Sequence, residues 1–235
     1  MAYNFFPTAQ NVVFTPDQLI GGSLDIVTDT VTLLSGRSLL RGALLGKQSV
    51  GAATSAAKSG GNTGNGTLVV DATTPVLTNA GTGIYTVRII TAGTNSFTAR
   101  VTDPRGVVLG DVAVSGAGAS GTFSDRIKFA ITDGATDFVV GDGFDVTVAA
   151  GAGKFVLATA AAVDGSADPA NWVILGEDTD ATSADQTCPV YRMGEFNVNY
   201  MTFGAGITAA SAKASIEGAG AHLFLKIGAL ANTIV

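Results

Sequence analysis

Tyr85-Thr86-Val87-Arg88-Ile89 and Phe97-Thr98-Ala99-Arg100-Val101 carry the pattern that decides the fold. Tyr85, Val87 and Ile89 share one face of an extended chain, as do Phe97, Ala99 and Val101, while Thr and Arg occupy the other. A period of two marks a half-buried strand. The same alternation returns in Ile127, Phe129 and Ile131, and again in Phe144, Val146 and Val148. Asp103-Pro104-Arg105-Gly106 between two such runs is a turn. Short strands, turns between them and no helical period predict a β-sandwich over residues 62–152.

Outside this block the pattern differs. Val27, Val31 and Leu33 alternate with Thr28, Thr30 and Thr32, which predicts a strand. Ser35-Gly36-Arg37 reads as a turn, and Leu39 to Lys47 as a second strand with a glycine kink. Residues 51–66, rich in Gly, Ala, Ser, Thr and Asn, read as a linker, and Gly151-Ala152-Gly153 as a second flexible seam. A Gly-rich joint at each end is what an inserted domain needs. Beyond it, Lys154–Ala158, Trp172–Leu175, Val190–Met193 and Leu223–Ile227 are further strands. Thr208 can cap a helix over Ala209–Glu217 that stops at Gly218. Residues 1–24, broken by Pro7, Pro16 and Gly21-Gly22, read as an extended arm in which Asn11 to Phe14 could form a strand.

The 235 residues suffice for a buried core without disulfides, and the one cysteine, Cys188, excludes an intrachain disulfide. Hydrophobic residues at 46% against 14% charged argue against general disorder. No apolar run reaches the roughly 18 residues of a membrane span. The opening Met1–Pro7 lacks the charge and apolar core of a secretory signal, so the product is expected to stay where it is made unless carried out in something larger. A net charge of −6 without a Lys/Arg cluster argues against nucleic acid. Six acidic residues between Lys154 and Arg192, with no basic one among them, read as a solvated rim.

Catalytic chemistry finds no constellation. The single histidine, His222, has no Gly-x-Ser-x-Gly partner for a triad, and Cys188 reads as a small buried thiol. Gly116 to Gly121 matches a dinucleotide fingerprint only formally, because no helix follows; it reads as a hairpin loop. Counting from Asp178, an EF-hand would need Gly and Glu where Ser183 and Pro189 stand. That leaves a looser cation site at Glu177, Asp178, Asp180 and Asp185 as the alternative to the rim. Asn65-Gly66-Thr67 reads as an Asn-Gly turn rather than a glycan acceptor. The expectation is a structural protein with no catalytic, metal or cofactor site.

Two motifs in order resemble the lambda-like head decoration proteins of tailed bacteriophages. The first is Asp29-Thr30-Val31-Thr32-Leu33, then Ser35-Gly36 and Leu40-Arg41-Gly42-Ala43-Leu44-Leu45-Gly46-Lys47. The second is Ile174-Leu175-Gly176-Glu177-Asp178-Thr179-Asp180-Ala181, followed by Val190-Tyr191-Arg192-Met193-Gly194-Glu195-Phe196-Asn197. The block from 62 to 152, with its phrase Thr132-Asp133-Gly134-Ala135-Thr136-Asp137-Phe138-Val139-Val140-Gly141-Asp142, resembles β-rich insertions of larger members. The resemblance implies a mainly β fold: a small barrel-like core (25–61 plus 153–235) with one short C-terminal helix, interrupted by an inserted β-sandwich. It implies a homotrimer on the outer surface of the virion capsid, at local three-fold positions. Its partner would be the major capsid protein, with no nucleic acid or membrane involved. Phe5, Phe6, Val12, Val13 and Phe14 are the arm residues expected to bind that capsid. The alternative is a display module whose inserted sandwich contacts a host-cell glycan or protein.

Overall fold

The computed structural model describes residues 17–226. In chain order the strands begin with β1 (Val27–Leu33), β2 (Arg37–Leu39) and β3 (Leu44–Lys47). Next come β4 (Val50–Ala57), β5 (Thr67–Val70), β6 (Gly83–Gly93), β7 (Ser96–Thr102), β8 (Val108–Ser115), β9 (Ser120–Asp125), β10 (Ile127–Thr132) and β11 (Gly143–Ala150). The chain then returns through β12 (Phe155–Leu157), β13 (Val173–Leu175), β14 (Thr179–Ala181) and β15 (Gln186–Asn197) to helix α1 (Ala209–Ala219) and β16 (Leu223–Lys226). The fold is mainly β with a five-stranded barrel and one short C-terminal helix, as expected from the sequence.

The barrel runs β1-β12-β3-β13-β15 and closes because β1 also pairs antiparallel with β15, from Val27↔Met193 to Leu33↔Gln186. Closure leaves these strands no open edge. Its interior is filled by Val31, Leu33, Leu45, Phe155, Leu175 and Val190, with Cys188 among them. Outside the wall, α1 lays Ala212 and Ile216 over Leu44, Ile174, Phe196 and Leu223. The wall is thus apolar on both faces. That is why Leu44-Leu45 and Val173-Ile174-Leu175 are continuous apolar runs, not alternating ones. The Thr208 hydroxyl accepts the Ser211 N–H while the Ser211 hydroxyl accepts the Thr208 N–H, closing the helix start. The helix runs through Gly218 to Ala219, beyond its expected end, and turns off at Gly220 with φ 66°.

The stretch from β4 to β11 forms two sheets, β4-β11-β6-β7-β8 and β5-β10-β9. They share a second hydrophobic interior containing every inward residue of the four alternating runs read from the sequence. Phe138 meets Phe97 and Phe144 edge-on at 5.0 and 5.9 Å between ring centroids.

Several expectations need correction. Residues 51–57 are not linker: they belong to β4, which pairs antiparallel with β11 from Phe144↔Ala57 to Ala150↔Val50. Their small side chains give almost no hydrophobic signal, but the ladder is made by the backbone. The stretch from Leu39 to Lys47 is two strands, not one. Gly42 breaks it with φ 88°, and a Cβ there would stand 2.3 Å from the Tyr200 carbonyl oxygen. The Gly116–Gly121 stretch does not join a hairpin: it carries the chain from β8 in one sheet to β9 in the other. Asn65-Gly66 makes no tight turn, since the Asn65 side chain instead accepts the Thr136 N–H at 2.8 Å. Val27 is 46% exposed because β1 begins beyond the packed interior of the barrel.

Candidate functional site

The part of the expected arm within the described residues is docked, not loose. Leu19 is buried against the helix-side layer, Ile20 bridges antiparallel to Phe196, and Gly21 donates to the Glu195 carbonyl at 2.9 Å. The Ser23 N–H donates to the Glu195 carboxylate at 2.9 Å. Phe5, Phe6, Val12, Val13 and Phe14 lie outside the described residues. The structure shows the segment that follows them, 17–24, held against β15 and Arg41.

Arg41 organises that contact. Its guanidinium grips both oxygens of Asp17, at 2.9 and 2.5 Å, in the two-pronged geometry that suits a carboxylate. It also donates to the Gly176 carbonyl at 2.9 Å and the Tyr191 hydroxyl at 3.1 Å. The Arg41 backbone N–H donates to Asp178 at 2.7 Å. Both motifs quoted from the sequence and the segment at Asp17 therefore meet at Arg41. The Arg41 hydrogen bond holds the Asp17 carboxyl below its ordinary value, against the opposing effect of burial.

The acidic stretch does not converge. Asp185 accepts the Ser35 N–H and pairs with Lys154 at 2.5 Å, Asp180 bonds Thr182, and Asp168 caps the short 3-10 turn at Pro169–Asn171. Asp164 accepts from Ser166 and from the Gln48 side chain. Each of these four carboxylates fixes a local turn or joins two segments. Among the described residues no three His, Cys, Asp or Glu side chains come together as a metal centre. Cys188 is 1% exposed inside the barrel, and burial pushes its thiol up. His222 is exposed just before β16.

Apolar side chains are exposed close to the docked segment: Leu24 (44%), Ile26 (38%) and Val27. Among the described residues, strand β16, with Phe224 exposed, is the outer edge of the barrel sheet and pairs only with β15. An open strand edge beside apolar surface can accept another strand.

These bonds carry a pH dependence. Burial raises the Asp142 carboxyl, but the Gly64, Thr63 and Val139 N–H groups outweigh it and leave the group below its ordinary value. Asp164 is likewise lowered on balance, by Ser166 and Gln48 against burial. Asp103 is lowered, first by the Val107 N–H. A carboxyl lowered in the folded state binds fewer protons there than when unfolded. Its contribution is therefore complete above the unfolded value of about 4 and is lost as pH falls through the folded values. The urea midpoint should stay level from neutral pH to about 5 and then drop; a midpoint that climbs on acidification would contradict these assignments.

A family model described as Bacteriophage lambda head decoration protein D matches residues 8–224, spanning both barrel segments and the two-sheet body between them. No curated protein and no solved structure matches the chain.

Proposed function

Because the chain belongs to the family of bacteriophage lambda head decoration protein D and is a structural component of a phage capsid, we propose that it is a trimeric clamp on the outside of the mature head. The observation that carries this reading is the match across 8–224, which includes the residues meeting at Arg41. Three copies around a local three-fold each extend an arm, residues 1–16, to the major capsid protein. Backbone hydrogen bonds from an added strand supply affinity, and pockets for alternate side chains supply choice of partner. Once one arm is seated the others bind intramolecularly, so weak contacts add to firm attachment. Binding only the expanded lattice stabilises that lattice against the pressure of packaged DNA by mass action.

In this reading the barrel is the clamp and residues 50–150 are an inserted domain. The ends of that domain lie together: the Gly151 N–H donates to the Ser49 carbonyl at 3.0 Å, and Gly153 to Gln48 at 2.9 Å. In this reading those bonds support a seam at 49–51, in place of the expected one at 61–62. A second reading, in which the inserted body displays a binding surface to the host, is favoured by a cleft at its base.

The test adds two proteins to purified mature heads stripped of decoration: the intact chain, and one in which 50–150 are replaced by a short Gly-Ser link. Both are expected to sediment with the heads at equal occupancy, and both to scatter light in solution as three chains. Failure of the intact chain to bind overturns the clamp. Failure of the excised chain alone overturns the division into clamp and insert.

A further inference from the structure

A cleft of about 620 Å³ opens where the base of the two-sheet body meets the barrel. One wall comes from the loop before β6, the β7–β8 turn and the β9–β10 turn; the other comes from Ser49 and the 162–169 loop. That volume is within the range of small-molecule sites, and a boundary between two packed bodies is where such sites form.

The backbone is strained here. Three non-glycine residues among those described have positive φ, and two of them line this cleft: Asn79 at 65° and Arg126 at 59°. Such conformations cost free energy and tend to gather at binding sites. At Arg126 the strain has a visible result. Its carbonyl accepts the Leu77 N–H at 2.7 Å, and its guanidinium is turned onto Asp103 at 2.6 Å. Asp103 is itself fixed by the N–H groups of Arg105 and Val107. This uses one N–H of Arg126. Among the described residues its other donors, and the whole guanidinium of Arg105, make no hydrogen bond to the protein. Both charges lie close enough to act on the Tyr85 hydroxyl. The other acid of the cleft, Asp168, spends its oxygens on the Ala170 N–H and the Asn171 side chain. The cleft thus holds two guanidiniums and two carboxylates, and because both carboxylates are already engaged, the N–H groups left over on Arg105 and Arg126 are the ones open to a ligand.

Size and lining select among anions. A bare carboxylate would leave most of the space empty. A nucleobase would want an exposed aromatic face, yet the Tyr85 ring is fully buried. Beyond the guanidiniums, the polar part of the walls is hydroxyl and amide chemistry from Ser49, Thr78, Asn79 and Thr82, set among apolar residues such as Val50, Leu77 and Pro104. We propose that the cleft binds an acidic saccharide, with the sugar carboxylate held by Arg105 and Arg126 and the ring hydroxyls by the Ser49, Thr78 and Asn79 wall. The two-pronged fit of guanidinium to carboxylate sets the orientation of the ring.

The site needs only the folded chain, so its test is separate from head binding. The full-length protein is titrated in solution with glucuronate, galacturonate, glucose and acetate, with amide shifts as readout. One of the two uronates is expected to bind saturably, and glucose and acetate to bind at least about tenfold more weakly. Arg105→Glu should weaken the uronate by about tenfold or more. Arg105 is exposed and its side chain has no partner among the described residues, so that variant should keep its fold; an unchanged amide spectrum outside the cleft checks this. No saturable uronate binding overturns the site. Acetate binding as tightly as uronate overturns the saccharide, and an unaffected Arg105→Glu overturns the role of the guanidinium.

Discussion

On the proposed clamp, a chain beginning at Asp17 is expected to keep the fold and the solution mass of the full-length protein's assembly, and to lose its hold on the head by about a thousandfold. The magnitude follows from the proposed trimer: if three arms act together, about tenfold per arm, or about 1.4 kcal/mol, compounds across the three. The start point is set by the structure. Cutting after residue 20 would also remove Leu19 from the layer beneath α1 and leave the Arg41 guanidinium without Asp17. Such a variant would confound loss of an arm with damage to the barrel. Starting at Asp17 keeps the grip on Arg41, the Ile20–Phe196 bridge and the bonds to Glu195. Co-sedimentation with stripped heads measures the loss, and circular dichroism with light scattering checks fold and mass. Full occupancy by the truncated chain would refute the arm, and with it the roles given to Phe5, Phe6, Val12, Val13 and Phe14.

The sequence disclosed strands whose side chains alternate between a packed interior and solvent. Tyr85, Val87 and Ile89, or Ile127, Phe129 and Ile131, are buried as a period of two requires. It was silent where the backbone does the work. After Val50, strand β4 is built from Gly, Ala, Ser and Thr, and its pairing with β11 makes it a strand. The barrel was legible as separate apolar runs, but its closure depends on β1 meeting β15, far apart in sequence. The role of Arg41 was hidden for the same reason. Its partners come from positions 17, 176, 178 and 191, which no local spacing links. The cleft escaped because it is assembled from turns, and its signature, Arg126 in a left-handed conformation, has no sequence counterpart.

Asp142→Ala should destabilise the two-sheet body by about 1–3 kcal/mol, because one buried carboxylate answers three backbone donors, of which the Gly64 N–H is buried, and an unanswered buried donor costs about that much. Asp142 is 3% exposed and accepts from Thr63 at 3.0 Å, Gly64 at 3.0 Å and Val139 at 3.1 Å. Its own carbonyl accepts the Ile89 N–H at 2.8 Å, so the same residue also pins the loop to β6. Asp142→Asn keeps one acceptor oxygen and should cost less. The chain supplies a way to locate the damage. Its single tryptophan, Trp172, lies under α1 on the barrel, with its indole N–H donating to the Ser166 carbonyl at 2.9 Å. Tryptophan fluorescence therefore follows the barrel, whereas far-ultraviolet circular dichroism follows all strands. If residues 50–150 are a domain of their own, urea should melt part of the dichroism of Asp142→Ala early while the fluorescence midpoint stays where it is in the parent protein. An equal shift of both signals would mean that barrel and insert unfold as one unit. The insert would then be an integral part of the clamp, and cutting it out at the 49–51 seam would take the barrel with it.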